Sequence, residues 1–270
     1  MRQLTDKEIH DCLLNILKDV DEFCRQNGLR YSLAYGTLIG AVRHHGFIPW
    51  DDDIDIQMPR PDFERFIREY GREPGARYRC LYNTVNEEER FQHFFAKVHD
   101  THTVCIQGKS VVYKFGVNLD VFPIDGRPDD TREQRKMERQ LSSWAHRLNI
   151  CSTKLDLFNF HQPLRAKLQA HIFGSGHWVK KCNELMRRYD FETSNFAGSV
   201  STVYNGLGGV FDRGLFEEYT LLEFEGSRFK AFSRWDEFLS KYYGDYMKLP
   251  PVHKRRSHHT TAYLKECKEL

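Results

Sequence analysis

The chain has 270 residues, of which 40% are hydrophobic and 29% are charged. This is the balance of an ordinary globular protein, and it excludes disordered and collagen-like chains. Lys and Arg number 40 against 38 Asp and Glu, which gives a net charge of +2. Because nucleic-acid binding usually shows as a marked basic excess, this balance predicts no nucleic-acid partner.

Three further features concern the location of the protein. No apolar run approaches the roughly 18 to 20 residues that a membrane-spanning helix needs, so no transmembrane segment is predicted. Residues 1–8 lack the apolar stretch of a secretory signal, so none is expected. The seven cysteines are scattered without a Cys-x-x-Cys pair, which favours a reduced, cytoplasmic protein.

The first predicted element is an amphipathic helix. It begins with a capping box formed by Thr5 and Glu8 and ends at Asn27-Gly28. The pattern that follows predicts a strand over 29–34, a helix over 38–44, a strand over 51–57, a helix over 62–70, and strands over 78–82, 94–99, 103–106 and 117–122.

Helical patterns dominate after Gly126-Arg127-Pro128. Helices are predicted over 131–151, 163–173 and 177–189, a hairpin over 221–225 and 228–232 around Gly226-Ser227, and a helix over 236–242. We therefore expect an α+β fold with two regions. Residues 1–128 form a catalytic core, and residues 129–270 form a mainly helical region whose hairpin and tail fold back onto that core.

The densest chemical signal is Trp50-Asp51-Asp52-Asp53-Ile54-Asp55-Ile56. If this segment is extended, Asp51, Asp53 and Asp55 share one face, because side chains alternate across a strand. Several anions on one face are costly unless a cation neutralises them, and Mg²⁺ suits carboxylate oxygens. A solvated acidic loop or a helix cap is the alternative, although the interleaved isoleucines argue against it.

A calcium-binding EF-hand loop beginning at Asp51 is excluded. Its sixth position, where Gly is required, is Ile56, and its twelfth is Asp62 rather than Glu.

A second acidic position occurs among apolar residues in the predicted strand over 117–122. Asp120 lies between Leu119 and Val121, and an Asp is disfavoured in a strand unless it has a partner. We expect Asp120 to join the same metal centre, either as the third ligand or as a general base. Asp125, directly before Gly126, is interpreted as a turn residue.

The third feature is the Gly36-Thr37 turn. The predicted strand ends at Gly36 and the helix begins at Thr37, so main-chain N–H groups at the helix start can bind a phosphate. Arg43 lies further along this helix and can pair with phosphate or with the acidic strand. Solvation at the surface is the alternative for Arg43.

Residues 35–56, which read Tyr-Gly-Thr-Leu-Ile-Gly-Ala-Val-Arg-His-His-Gly-Phe-Ile-Pro-Trp-Asp-Asp-Asp-Ile-Asp-Ile, resemble the signature of the LicD family. This family includes bacterial phosphocholine transferases and the fukutin-related proteins. The resemblance continues over residues 119–126, 211–232 and 243–251, followed by Arg256, His258 and His259. It is least recognisable over 131–195.

The resemblance implies a nucleotidyltransferase-like fold, in which a mixed β-sheet is flanked by helices. It places the metal-binding pair on Asp53 and Asp55, with Asp51 ahead of them and Asp120 as the third carboxylate, and it places substrate contacts at Gly36 and Thr37. The implied cofactor is Mg²⁺ or Mn²⁺.

The activity implied by the resemblance is transfer of a phosphoalcohol from a CDP-alcohol donor, typically CDP-choline. The acceptor is a sugar hydroxyl of a glycan, a lipid-linked glycan or a teichoic-acid precursor, and a lipid-linked acceptor would require attachment to the inner membrane face. The basic tail over 254–259, with Arg256 and His258, can contact the donor or be a solvated end. A choline group would call for aromatic residues, with Tyr31, Tyr35, Trp50 and Tyr243 as candidates beside their alternative role in core packing.

Two other functions remain open. An Asp-x-Asp glycosyltransferase that uses a nucleotide sugar would explain Asp53-Ile54-Asp55 but not the upstream Gly36-Thr37 turn. A glycan-binding protein that has lost catalysis would retain the same site as a scaffold.

Overall fold

The computed structural model describes residues 1–85, 90–91, 93–106, 115–151, 164–199, 209–255 and 261–265. The α-helices within these residues are α1 (Asp6–Asn27), α2 (Tyr35–His44), α3 (Arg60–Glu69), α4 (Thr131–Cys151), α5 (Leu164–Met186) and α6 (Trp235–Tyr243). The strands are β1 (Arg2–Gln3), β2 (Ser32–Leu33), β3 (Asp55–Pro59), β4 (Tyr78–Leu81), β5 (Thr84–Val85), β6 (Arg90–Phe91), β7 (Ala96–Asp100), β8 (Thr103–Ile106), β9 (Asn118–Arg127), β10 (Phe196–Gly198), β11 (Phe211–Asp212), β12 (Tyr219–Phe224), β13 (Ser227–Phe232) and β14 (Thr261–Leu264).

The long strand β9 is the centre of a mixed sheet. It pairs in parallel with β3 and antiparallel with β7 and β10, and the sheet continues from β3 to β2, from β7 to β4 and from β10 to β11. Leu119, Val121 and Ile124 of β9 are fully buried. Helices α1 and α3 pack against this strand, which explains why it is apolar over most of its length. The predicted α+β fold with a mixed sheet flanked by helices is confirmed.

Helix α1 forms as its local signals predict. Thr5 caps it and makes the reciprocal capping box with Glu8, and Gly28 ends it in the left-handed conformation at φ 64°. Its apolar stripe lies in the main core, with Ile9, Leu13, Ile16, Leu17 and Val20 buried.

Helices α4 and α5 pack against each other around a second, smaller core that includes Leu141, Trp178 and Cys182. The predicted helix over 131–151 has the observed bounds. The two helices predicted on either side of residues 174–176 form one element with a kink at Gly174, whose φ is 73°.

The hairpin β12–β13 contacts β2 and α2. At its turn the Glu225 N–H donates to the His45 carbonyl (2.9 Å), and the Glu225 carboxylate accepts from the Phe47 N–H (3.0 Å). Further along, β14 pairs with β1 and β8. The division of the chain at residue 128 stays a prediction, and β10 and β11, which follow that position, extend the central sheet.

Four local predictions were wrong. The predicted strand does not extend to Gly36: β2 ends at Leu33 and α2 begins at Tyr35, so Gly36 and Thr37 lie in the first turn of the helix. The strand predicted over 51–57 begins only at Asp55, so Asp51 and Asp53 precede it. Asp125 is not a turn residue: it lies in β9, fully buried, because it pairs with Arg60 of α3. The hairpin turn is centred on Glu225-Gly226, both with positive φ, rather than on Gly226-Ser227.

No helix among the described residues is both long enough and apolar enough to cross a membrane.

Candidate active site

Two carboxylates meet at the centre of the sheet. Asp55 is the first residue of β3, Asp120 is the third of β9, and the two strands pair in parallel with these residues in register. The Asp120 N–H donates to the Ile54 carbonyl (2.9 Å), which fixes that register. The structure thus brings together two of the carboxylates that the sequence singled out.

Asp51 and Asp53 add negative charge beside this pair. Burial raises the pKa of the Asp55 carboxyl well above its usual value. The charges of Asp53, Asp120 and Asp51, in that order, raise this pKa further, while Lys97 opposes them. Because burial and the three neighbouring carboxylates disfavour ionisation of Asp55, the cluster of Asp51, Asp53, Asp55 and Asp120 needs positive charge.

Gly36 and Thr37, in the first turn of α2, lie against these carboxylates. A Cβ atom at Gly36 would lie 2.7 Å from Oδ2 of Asp51, so a larger residue would displace that carboxylate. The Thr37 hydroxyl accepts a hydrogen bond from the Asp55 N–H (2.9 Å), and the Ala34 N–H donates to the Asp55 carbonyl (2.9 Å). Thr37 and the N-cap residue Ala34 therefore hold both the N–H and the carbonyl group of Asp55, the first residue of β3.

Replacing Thr37 by Val should destabilise the protein by about 1–2 kcal/mol, because the Asp55 N–H would lose its acceptor. The free energy of unfolding in urea checks this value. Thr37→Ser keeps the hydroxyl oxygen, so its free energy of unfolding should be closer to that of the wild type. If Val and Ser variants unfold alike, the hydroxyl does not support Asp55.

Lys97 of β7 is the cation that faces the cluster. Its ammonium pairs with the Asp120 carboxylate and donates to Oδ1 of Asn118 (2.8 Å). The rings of Phe95, Phe115 and Phe91 surround it, with centroids 5.4, 5.7 and 6.0 Å from Nζ. Sequence reasoning missed Lys97, although a lysine between Ala96 and Val98 in a predicted strand was a signal of the same kind as Asp120.

Arg255 lies beside the loop that precedes Asp51, and Arg43 is its neighbour. The guanidinium of Arg255 lies 5.1 Å from the centroid of the Trp50 ring and donates to the Pro250 carbonyl (2.9 Å). Arg43 donates to the Tyr246 carbonyl (2.7 Å). Burial lowers the pKa of Arg43, and the charge of Arg255 lowers it further, so the two cations are neighbours.

The four aromatic candidates separate into two groups. Tyr31 and Tyr35 are core residues, 0% and 4% exposed, and their hydroxyls bond to Asp21 and Gln57. Tyr243 is 37% exposed. Partial burial raises the pKa of its hydroxyl, and the charge of Asp55 raises this pKa further, so Tyr243 lies near the carboxylates. Trp50 is half-buried beneath Arg255. Arg256 and His258 lie outside the described residues.

The carboxylates supply donors for a divalent cation but not a complete site for one. No three His, Cys, Asp or Glu side chains of the described ranges converge as a ready-made metal site. The Asp120 carboxylate is instead engaged by Lys97. The carboxylate oxygens are nevertheless the type of donor that Mg²⁺ and Mn²⁺ prefer. A cation would also offset the burial and the three neighbouring anions that disfavour the charged form of Asp55.

Comparison with known proteins identifies the family. The profile of "LicD/FKTN/FKRP, nucleotidyltransferase domain" matches residues 28–147, which include the Gly36-Thr37 turn, Asp55, Lys97 and Asp120. The lipopolysaccharide cholinephosphotransferase LicD of Haemophilus influenzae is 31% identical over 280 aligned residues, covering 98% of this chain and 100% of that protein. The chain belongs to the LicD family.

Shorter matches also exist for this LicD-family chain. An uncharacterized protein of Rickettsia typhi is 37% identical over 73 residues, which is 27% of this chain and 24% of that protein. Mannosyltransferase regulator 4 of Saccharomyces cerevisiae is 35% identical over 57 residues, which is 21% of this chain and 5% of that protein. The family membership predicted from the sequence is therefore confirmed.

Proposed function

We propose that this LicD-family protein transfers a phosphoalcohol, with phosphocholine as the first candidate, from a CDP-linked donor to a sugar hydroxyl of a cell-surface glycan precursor. The observation that carries the proposal is the alignment along the entire length of a relative named as a lipopolysaccharide cholinephosphotransferase. A teichoic-acid precursor or another lipid-linked glycan is an acceptor of the same chemical class. The proposed location is the cytoplasm, with attachment to the inner membrane face where the acceptor is lipid-linked.

In the proposed reaction an oxygen of the acceptor sugar attacks the phosphorus atom that bears the alcohol. The bond from that phosphorus to the bridging oxygen breaks, and CMP leaves with the bond's electrons. The proton of the sugar hydroxyl passes to the carboxylate of Asp120 or of a neighbour in the cluster. Sugar and alcohol are then joined through one phosphate.

Asp51, Asp53, Asp55 and Asp120 are the residues proposed to hold Mg²⁺ or Mn²⁺. When bound, such an ion supplies positive charge to the donor diphosphate and to the departing CMP. Without a bound cation, the negative charge of the four carboxylates would repel the anionic donor. The unfavourable ionisation of Asp55 agrees with this need for positive charge.

The remaining contacts proposed for the donor lie around the cluster. Arg43 and Arg255 donate to main-chain carbonyls, and these uncharged contacts do not neutralise the guanidiniums, which suit phosphate oxygens. Main-chain N–H groups of Gly36 and Thr37, in the first turn of α2, suit another phosphate oxygen. The rings of Trp50 and Tyr243 suit the quaternary ammonium of choline.

A donor panel tests the function. CMP release is measured from CDP-choline, CDP-ethanolamine, CDP-glycerol and CDP-ribitol with a glycan acceptor, in Mg²⁺ or Mn²⁺ and in EDTA. At least one CDP-alcohol should release CMP with the divalent ion and none in EDTA. Consumption of UDP- or GDP-sugars instead would indicate a glycosyltransferase, and no turnover of any donor would indicate a binding protein without catalysis.

A further inference from the structure

Lys97 completes a row of charges across three neighbouring strands. Asp55 of β3 is in register with Asp120 of β9, and Asp120 is in register with Lys97 of β7. Because directly paired residues point to the same face of a sheet, the three side chains stand side by side. Lys97 is therefore part of the carboxylate cluster and not a surface lysine near it.

The surroundings of the ammonium hold it there. The Lys97 side chain is only 13% exposed, and its polar contacts are Asp120 and Asn118. Phenylalanine rings lie around the remainder, and their faces attract a cation. Moving the ammonium away from Asp120 would break the ion pair and the contacts with these rings at the same time.

A fixed positive charge at this position opposes a second cation. A divalent ion bound to the Asp120 carboxylate would lie within a few ångströms of Nζ, where like charges repel strongly at low dielectric. A nucleotide diphosphate brings negative charges that attract both cations. On this argument the carboxylates alone should bind a divalent ion weakly, and the carboxylates together with the diphosphate should bind it more tightly.

We propose that Lys97 is the resident counter-ion of Asp120 and that it keeps the carboxylate cluster from taking up a divalent cation before the donor diphosphate is bound. This rests on the proposed function for the identity of the anion. Lys97 is a positioning residue, acting through Asp120.

The test is direct titration of Mn²⁺ into the metal-free protein, followed by the EPR signal of free Mn²⁺ with no donor present. Lys97→Met keeps an unbranched side chain and removes the charge, and it should bind Mn²⁺ at least about tenfold more tightly than the wild type. Lys230→Met is the matched control, since Lys230 also lies over an aromatic ring, that of Tyr31, and donates to the Leu29 carbonyl. It should bind Mn²⁺ as the wild type does.

A second arm titrates CDP, used as a diphosphate that is not turned over, into the same proteins in EDTA. Lys97→Met should bind CDP several-fold more weakly than the wild type, because a cation near the diphosphate has been removed. The Lys97→Met change is thus expected to strengthen Mn²⁺ binding and to weaken CDP binding. Replacing a residue with only a structural role would weaken the binding of both ligands.

Equal or weaker Mn²⁺ binding by Lys97→Met overturns the proposal, as does a wild type that binds Mn²⁺ equally well with and without CDP. Thermal unfolding checks that each variant is folded, and Lys97→Gln replaces the Met variant if that one is not. These results are independent of the donor panel. Metal-dependent CMP release combined with unchanged Mn²⁺ affinity would leave the proposed function in place and remove only this role of Lys97.

Discussion

Asp55→Asn is expected to lower CMP release by at least about 10³-fold while the protein remains folded, since loss of one group that stabilises transition-state charge has effects of this size. Asn keeps the shape of the side chain but removes the charge that lies in register with Asp120. The measurement is the rate of CMP release from the best donor of the panel at saturating Mg²⁺.

The same variant should not lose stability when no divalent ion is present. Burial and the neighbouring carboxylates disfavour the ionised form of Asp55, so a neutral side chain relieves that cost. We expect the melting temperature of Asp55→Asn in EDTA to equal or exceed that of the wild type, and Mg²⁺ to raise it less.

Asp11→Asn, on the exposed face of α1, is the control and should leave both activity and melting temperature unchanged. Activity of Asp55→Asn within tenfold of the wild type would contradict the role of this carboxylate.

Asp125→Asn is expected to be the most destabilising conservative change in the described core, at about 3–5 kcal/mol, because it breaks a buried ion pair. Arg60 donates from Nε to Oδ1 of Asp125 (2.6 Å) and from Nη2 to Oδ2 (2.9 Å). The Asp125 side chain is 0% exposed and that of Arg60 10%. After the change the guanidinium stays buried, and among the residues that the structure describes its remaining ion-pair partner is the part-exposed Glu64.

Urea unfolding of Asp125→Asn measures the loss. Glu184→Gln removes a carboxylate from two exposed pairs with Lys180 and Lys181 and should cost less than about 0.5 kcal/mol. The double variant Arg60→Met with Asp125→Leu replaces the pair by apolar side chains and should recover much of the loss. A loss from Asp125→Asn as small as that of Glu184→Gln would show that the pair does not stabilise the fold.

Elements with strong local signals were predicted well. Helix α1 has a capping box at one end and a left-handed glycine at the other, and both act within a few residues of chain. The bounds of α4 agree with the prediction, and those of the β12–β13 hairpin differ by only one or two residues. The strand around Asp55 begins four residues later than predicted and ends two residues later, because alternation alone does not show where pairing with β9 begins.

The candidate site was predicted in part. Three features stand out in the sequence because their residues are unusual for a core strand or an ordinary turn: the acidic segment, Asp120 and Gly36-Thr37. The pairing of Asp120 with Lys97, of Asp125 with Arg60 and of Arg255 with Trp50 was not predicted. These partners are separated by 23, 65 and 205 positions, and no local pattern links them.

The sequence by itself determined the family, the capped helix α1, and the presence of an acidic segment shortly after Gly36-Thr37. Such features depend on residues close together in the chain, where spacing alone decides which groups can meet. Only the tertiary structure decided which charges face one another: a buried lysine set against Asp120, and Asp125 turned away to pair with α3. The physical reason is that a buried charge is stabilised by whatever partner the packed sheet and helices bring within a few ångströms, and that partner can come from any distance along the chain.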